Sequence, residues 1–501
     1  MAFHSRKRLL LLNSGSSILY QMLTMISGFI LPNCFIKYYG DDTYGVIASV
    51  TQYLQLITLC DLGFGVVVQS SLYKPIAQKN IDKISEIFVA SKSFFNKIAY
   101  ALIGYVIVLI STYPIMSAQK IDWKFSAVII IAIAIKLLLQ YFVSISYKLL
   151  LNASQYIYIQ VTVCSATLIV NLFLSVILMG CGYGVETVLV ASSAVFCLQP
   201  IIFKKLVFNI YPLKTDIIAP NNVIKQKWNG VLQHLATIVL EQSPIILLTM
   251  LTNFTTIAIY SIYHLVTNGI KLLFSTLLNS IVPLMGDIFV RKEDSLLRDF
   301  FSILCWLNNN LATLIFTIAA ITIIPFIKTY TANLDNNGIY IYSALGYTMC
   351  IAYAIYSLRL PYNYLIQAVG HFRETQNSAF LEIIINLSIS VILIIKYGVI
   401  GVPVAMSIAL LFRLVYFIYY THKYILKKAL REVITCTLLN VLTCIVILMT
   451  TRFMKYEHVG YIQWIIFSTK VALVAFIEVV LINIIFCKKE ILILCKFVKK
   501  R

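Results

Sequence analysis

Residues 141–178, YFVSISYKLLLNASQYIYIQVTVCSATLIVNLFLSVIL, recur in altered form at residues 356–393, YSLRLPYNYLIQAVGHFRETQNSAFLEIIINLSISVIL. At this offset of 215, 11 of 38 positions are identical. Ile and Leu matches are cheap in so apolar a chain. The weight falls on Tyr141/Tyr356, Tyr147/Tyr362, Ala153/Ala368, Asn171/Asn386 and Ser175/Ser390. At offset 216, Asn13 pairs with Asn229 and Tyr44 with Tyr260, so the repeat extends back to the first residues of each half. The chain therefore carries two copies of one unit, an arrangement common in membrane carriers.

Working outward, the repeat lies in a chain of 501 residues that is 60% hydrophobic and only 12% charged. Its mean hydropathy is +0.88. A soluble domain would carry about 25% charged residues, so disorder and a large soluble core are both excluded. The apolar residues fall in runs of about 20, the length of a membrane-spanning helix. Fourteen spans are predicted: 9–31, 44–66, 98–116, 125–147, 157–179, 185–203, 229–251, 255–285, 301–327, 340–366, 376–395, 399–420, 432–451 and 463–487. Six spans separate the repeat copies, so the copies run parallel. The predicted organisation is a six-helix lobe at 1–203, a linker at 204–228, a second six-helix lobe at 229–422, and two further helices with a basic tail at 423–501. The stretch 9–31 is too long for a cleaved leader and is read as a retained span.

The net charge of +20 would suggest nucleic acid in a soluble protein. Here the 40 Lys+Arg sort by membrane side, and no nucleic-acid partner is expected. With the N-terminus inside, inner segments hold 28 of them, outer loops hold 7, and 5 lie within spans. The positive-inside rule then puts both termini in the cytoplasm. The segment 67–97, with Lys74, Lys79, Lys83, Lys92 and Lys97 among Ile84, Ile87 and Phe88, reads as a basic amphipathic stretch lying on the inner leaflet. The 11 cysteines show no CxxC or Cys/His spacing. Most are read as small buried hydrophobes, with neither a disulfide nor a metal site.

Short motifs add a resemblance. Tyr38-Tyr39-Gly40 leads through Asp41-Asp42 to Tyr44-Gly45, and span 2 ends Asp61-Leu62-Gly63-Phe64-Gly65 before Ser71-Leu72-Tyr73-Lys74-Pro75. Span 10 runs into Gln367-Ala368-Val369-Gly370. With the span count and the repeat, the pattern resembles the Wzx-type polysaccharide flippases of the multidrug/oligosaccharidyl-lipid/polysaccharide (MOP) superfamily. The resemblance implies an all-α fold of two six-helix lobes in a MATE-like V, plus two C-terminal helices. It implies a carrier in the bacterial cytoplasmic (inner) membrane that moves undecaprenyl-pyrophosphate-linked oligosaccharide between leaflets. Its implied partners are the lipid-linked oligosaccharide, the bilayer, and polysaccharide polymerase and chain-length proteins.

A charge at the bilayer centre costs at least about 2.5–3.5 kcal/mol on insertion scales, so in-span charges need a reason. Lys271, Arg359, Lys136 and Arg413 read as lining for a pyrophosphate or acidic-sugar cavity, against snorkelling or internal ion pairing. Glu241, before Gln242-Ser243-Pro244, reads as a proton or sodium coupling site, and Asp61 as a gating or locally paired acid. Glu382 reads as interfacial, and Lys470 and Glu478 as peripheral. No catalytic residue and no cofactor other than a coupling ion is expected. Two other function classes compete. A cation-coupled drug exporter of the same superfamily would favour an acid-dominated cavity. A glycan polymerase or ligase would need catalytic residues in outer loops, which are too short here.

Overall fold

The computed structural model describes residues 2–61, 64–119, 121–214, 217, 231–279, 281–334, 338–488 and 490, and it contains only helices and turns among them. Its contacts group into two units, residues 1–258 and 259–501. The first unit contains α1 (Ala2–Tyr39), α2 (Asp41–Gln55), α3 (Phe64–Ala77), α4 (Ile81–Met116), α5 (Trp123–Leu139), α6 (Ile145–Ala153), α7 (Ile157–Gly180), α8 (Val185–Ile210) and α9 (Val231–Leu251). The division falls in the second turn of α10 (Phe254–Asn279). The second unit continues with α11 (Val282–Val290), α12 (Asp294–Tyr330), α13 (Ser343–Val369), α14 (Phe372–Tyr397), α15 (Gly401–Tyr420), α16 (Arg431–Thr451) and α17 (Tyr461–Phe486).

Among the described residues, each of the fourteen predicted spans is helical over most of its length. Among the described residues eleven helical stretches are long and apolar enough to cross a membrane, and one of them, Phe372–Leu426, contains two spans. The chain is a multi-pass membrane protein. The two spans outside that set have structural reasons. Span 2 is broken: a 3₁₀ segment, Leu56–Asp61, separates α2 from α3. Span 10 is α13, in which 14 of 27 residues are buried. A helix surrounded by protein does not need the apolar surface that lipid demands. Span 4 is also irregular, with a π-helical turn at Gln140–Ser144 between α5 and α6.

The segment 67–97 differs from its reading as a surface stretch. It forms the end of α3 and the start of α4, joined by a turn in which the Asn80 side chain accepts the Lys83 amide at 3.0 Å. Ile84, Ile87 and Phe88 are 1–3% exposed, and the Phe88 ring lies 5.1 Å from Tyr147 of α6. The apolar positions face protein rather than lipid, because α3, α4 and α6 pack together. At the other expected connection, α8 continues to Ile210 before the chain leaves the helix, and residues 218–228 lie outside those described. The ten described cysteines form no disulfide, but only Cys164, Cys350 and Cys487 are buried. The rest are half-buried or exposed, as expected where lipid, not protein, covers a helix.

In the second unit α12 is the hub. It packs against α13, α16 and α17. Asn483 of α17 accepts from Trp306 Nε1 at 2.9 Å and donates to Asn310 Oδ1 at 2.7 Å, both on α12. Ile447, Ala475 and Val479 close this joint against Leu314, Ile318 and Ile321. The final two helices are thus held to the second unit by apolar packing fixed in register by one asparagine.

Candidate functional site

Two tight turns bring three helices of the second unit into register. Helix α13 ends at Gly370, whose φ of 82° is the left-handed conformation that glycine adopts without strain. Arg359 lies eleven residues before this turn and Glu382 twelve after it, so the α13–α14 hairpin sets them at one depth. Helix α14 returns into α15 at Gly401, where any side chain would run into the Leu393 carbonyl. That close approach brings Arg413 of α15 level with Glu382.

The result is a buried ion cluster. Glu382 Oε1 accepts from Arg359 Nη1, and Glu382 Oε2 accepts from Arg413 Nη1. Glu382 is 1% exposed, Arg413 2% and Arg359 4%. The Arg359 Nε is buried without a hydrogen-bond partner. The Tyr356 ring joins a third cation to the group, lying 5.1 Å from both the Arg359 guanidinium and Lys271 Nζ. Lys271 itself is 5% exposed. Two guanidiniums thus share one carboxylate, which repays only part of their desolvation in a low-dielectric interior. Lys271, Arg359 and Arg413, which the sequence singled out separately, form one group, and Glu382 is its centre rather than an interfacial residue.

The internal repeat tells what this cluster is not needed for. At Glu382's repeat position the first unit has Thr167, which accepts from Gln199 Nε2 at 2.6 Å; Gln199 is one residue from the counterpart of Arg413. A neutral hydrogen bond therefore joins the corresponding α7–α8 hairpin. The charges of the second unit exceed what the hairpin requires.

The first unit holds acids and a lysine at separate places. Tyr141, the repeat partner of Tyr356, donates to Asp61 Oδ2 at 3.2 Å, and Asp61 Oδ1 is buried without a hydrogen-bond partner. Asp61 ends the 3₁₀ segment, and α9 packs against that segment. Glu241 is half-buried on α9, next to buried Gln242 and Ser243, so the two carboxylates stand on adjoining elements. Lys136 of α5 lies apart, its Nζ 3.7 Å from the centre of the Phe196 ring of α8. Among the described residues no group of three His, Cys, Asp or Glu side chains converges as metal ligands.

Sequence reasoning missed a groove. A cavity of about 740 Å³ runs between α12, α13, α15 and α16, lined by Phe316, Ala354, Leu358 and Cys444 among other mainly apolar side chains. Along α16 it extends from Val433 to Thr451. Eighteen residues of helix make this roughly 27 Å, close to the ~30 Å hydrocarbon thickness. Leu358 and Leu414 in its wall are the chain neighbours of Arg359 and Arg413. Small residues on α12, α13 and α16 (Ala312, Ala320, Ala354, Thr437) were the one sequence signal, and they only acquire meaning once those helices are known to face each other.

No family model matches the chain, and no curated protein matches it. Solved structures do. It resembles the lipid II flippase MurJ in an inward closed conformation with a TM-score of 0.68 at 15% identity, over 96% of this chain and all of that one. It resembles an inward-facing multidrug resistance MATE family transporter of the MOP superfamily with a TM-score of 0.58 at 10% identity, over 79% of this chain and 93% of that one. The MATE multidrug transporter DinF-BH in complex with R6G matches with a TM-score of 0.54 at 14% identity, over 82% of this chain and 95% of that one. The chain has the fold of the MurJ and MATE transporters.

Proposed function

We propose that the protein is a flippase for a lipid-linked oligosaccharide, moving undecaprenyl-pyrophosphate-linked repeat units from the cytoplasmic to the periplasmic leaflet of a bacterial inner membrane by alternating access. The observation that carries this reading is the groove. A soluble drug has no use for an apolar channel about as long as the hydrocarbon layer is thick, whereas a polyprenyl chain fills one. The buried cations beside its wall supply the second half of such a ligand's chemistry. Lys271, Arg359 and Arg413 would hold pyrophosphate or acidic sugar, Arg through its donor fork and Lys through its point charge. The likeness to MurJ over 96% of this chain and all of that one supports the same reading, since that protein's name records a flippase of lipid II.

Asp61 and Glu241 are the proposed coupling groups for a proton or sodium ion, in keeping with an unpartnered carboxylate oxygen beside a broken helix. The protein acts as a carrier and not as an enzyme, with polymerase and chain-length proteins as later users of its product.

The groove is tested by filling it. Ala354→Trp and Thr437→Trp place large rings in its wall. Both variants should block transport of a full-length polyprenyl substrate while leaving a short-tailed analogue moving. Equal transport of both substrates by both variants would remove the groove from the mechanism.

A further inference from the structure

The turn between α16 and α17 builds a second cavity, of about 320 Å³, that the transport reading does not use. Its walls are Lys455, Glu457 and His458 from the turn, and Gln463, Phe467 and Lys470 from the first turns of α17, with Met454, Tyr456 and Ile466. The turn is anchored. The Tyr456 hydroxyl hydrogen-bonds Thr329 of α12 and accepts the Gly460 amide at 3.1 Å, and its ring packs 5.6 Å from Phe467. The cavity wall is therefore part of the fold.

Lys470 is the informative residue. It stands nine residues into a membrane-spanning helix, about 13 Å from its start by helical rise. A cation at such depth needs a partner or a route to the interface. Helical side chains lean toward the N-terminus of their helix, and here that direction leads to the cavity. Among the described residues Lys455, Glu457, His458, Gln463 and Lys470 make no side-chain hydrogen bond or ion pair. Two lysines against one glutamate leave the site net positive. Below it, α17 turns an apolar stripe outward: Leu473 is 59% exposed, Ile477 55% and Leu481 53%. These follow Lys470 at helical spacing on one face.

We propose that this cavity binds the phosphate of an anionic phospholipid, whose acyl chains lie along that stripe. A phosphate supplies the acceptors that Lys455, Lys470 and Gln463 lack, and the stripe supplies the surface that only a lipid would cover. The site lies on the α17 side of the final hairpin and is independent of the proposed substrate path. By the charge asymmetry of the loops it faces the outer leaflet.

The test uses the full chain in detergent, titrated with phosphatidylglycerol, phosphatidylcholine or inorganic phosphate, with bound molecules counted by native mass spectrometry. Phosphatidylglycerol should bind in preference to phosphatidylcholine. Lys470→Met and Lys455→Met should each weaken it about 5-fold, from the ~1 kcal/mol that a basic residue near a charged lipid surface contributes. Glu457→Gln, on the exposed turn and harmless to packing, should tighten it. Equal binding of the two lipids would overturn the proposal, as would unchanged phosphatidylglycerol binding across the three variants. Saturation of the site by inorganic phosphate at millimolar concentration, with no lipid retained, would assign it to free phosphate instead.

Discussion

Replacing Glu382 with Gln keeps the shape of the ion cluster's centre and removes its only negative charge. Two guanidiniums, 4% and 2% exposed, then face each other across a neutral amide. Removing one partner of a buried ion pair costs about 3–5 kcal/mol, because the remaining charge is left uncompensated in a low-dielectric interior. Spread over a unit of residues 259–501, at roughly 2–4 °C per kcal/mol for a domain of that size, the midpoint of thermal unfolding should fall by about 6–20 °C. The assay is thermal unfolding of purified protein in detergent, followed by the monodisperse fraction. A companion variant separates charge from shape. Glu382→Gln combined with Arg413→Met restores the cluster's wild-type net charge, so it should regain part of the lost stability. If Glu382→Gln unfolds at the wild-type temperature, the arginines are not held by that carboxylate, and the buried triad is wrong as an energetic unit.

Lys271 Nζ lies 5.1 Å from the Tyr356 ring, so Lys271→Ala should reduce glycan display at least 10-fold in a flippase-null strain; normal display at normal protein level would remove it from the substrate path. Arg359→Ala should lower both display and stability, and Arg359→Lys should restore only part, since a fork becomes a point charge. Asp61→Asn and Glu241→Gln should each abolish the response of transport to a proton or sodium gradient, measured across imposed gradients; an unaltered response in both would exclude these acids from coupling. Engineered cysteines near Lys37 and Lys455 should react with impermeant reagent from outside, and those near Lys79 and Lys427 only from inside; outside labelling near Lys427 would invert the second half.

The fold was legible because membrane helices state themselves through length and hydropathy. Runs such as 157–179 and 463–487 became α7 and α17 to within three residues at each end. Legibility failed where burial replaced lipid contact. The basic stretch around Ile84 and Phe88 looked amphipathic, but its apolar face meets α3 and α6. The break at Leu56–Asp61 and the π turn at Gln140–Ser144 left no mark in hydropathy, since a local change of hydrogen-bond spacing needs no change in composition.

At the site, the individual charges were visible and their grouping was not. Glu382 could have been paired with Arg359 by counting outward from Gly370, whose position in Gln367-Ala368-Val369-Gly370 marks a helix end. Placing Arg413 beside both required knowing how closely α14 and α15 approach at Gly401. The groove was beyond sequence reasoning, because its walls come from four helices spread between Asn309 and Arg452.

Reconstitution of the purified chain in proteoliposomes carrying an undecaprenyl-pyrophosphate oligosaccharide, with glycan exposure read by an impermeant lectin, measures the central claim. Protein-dependent transfer of the glycan between leaflets, lost in Lys271→Ala and in Ala354→Trp, is the expected result. Efflux of a cationic dye with no glycan transfer under any proton or sodium gradient would contradict it and identify the chain as an exporter of small molecules.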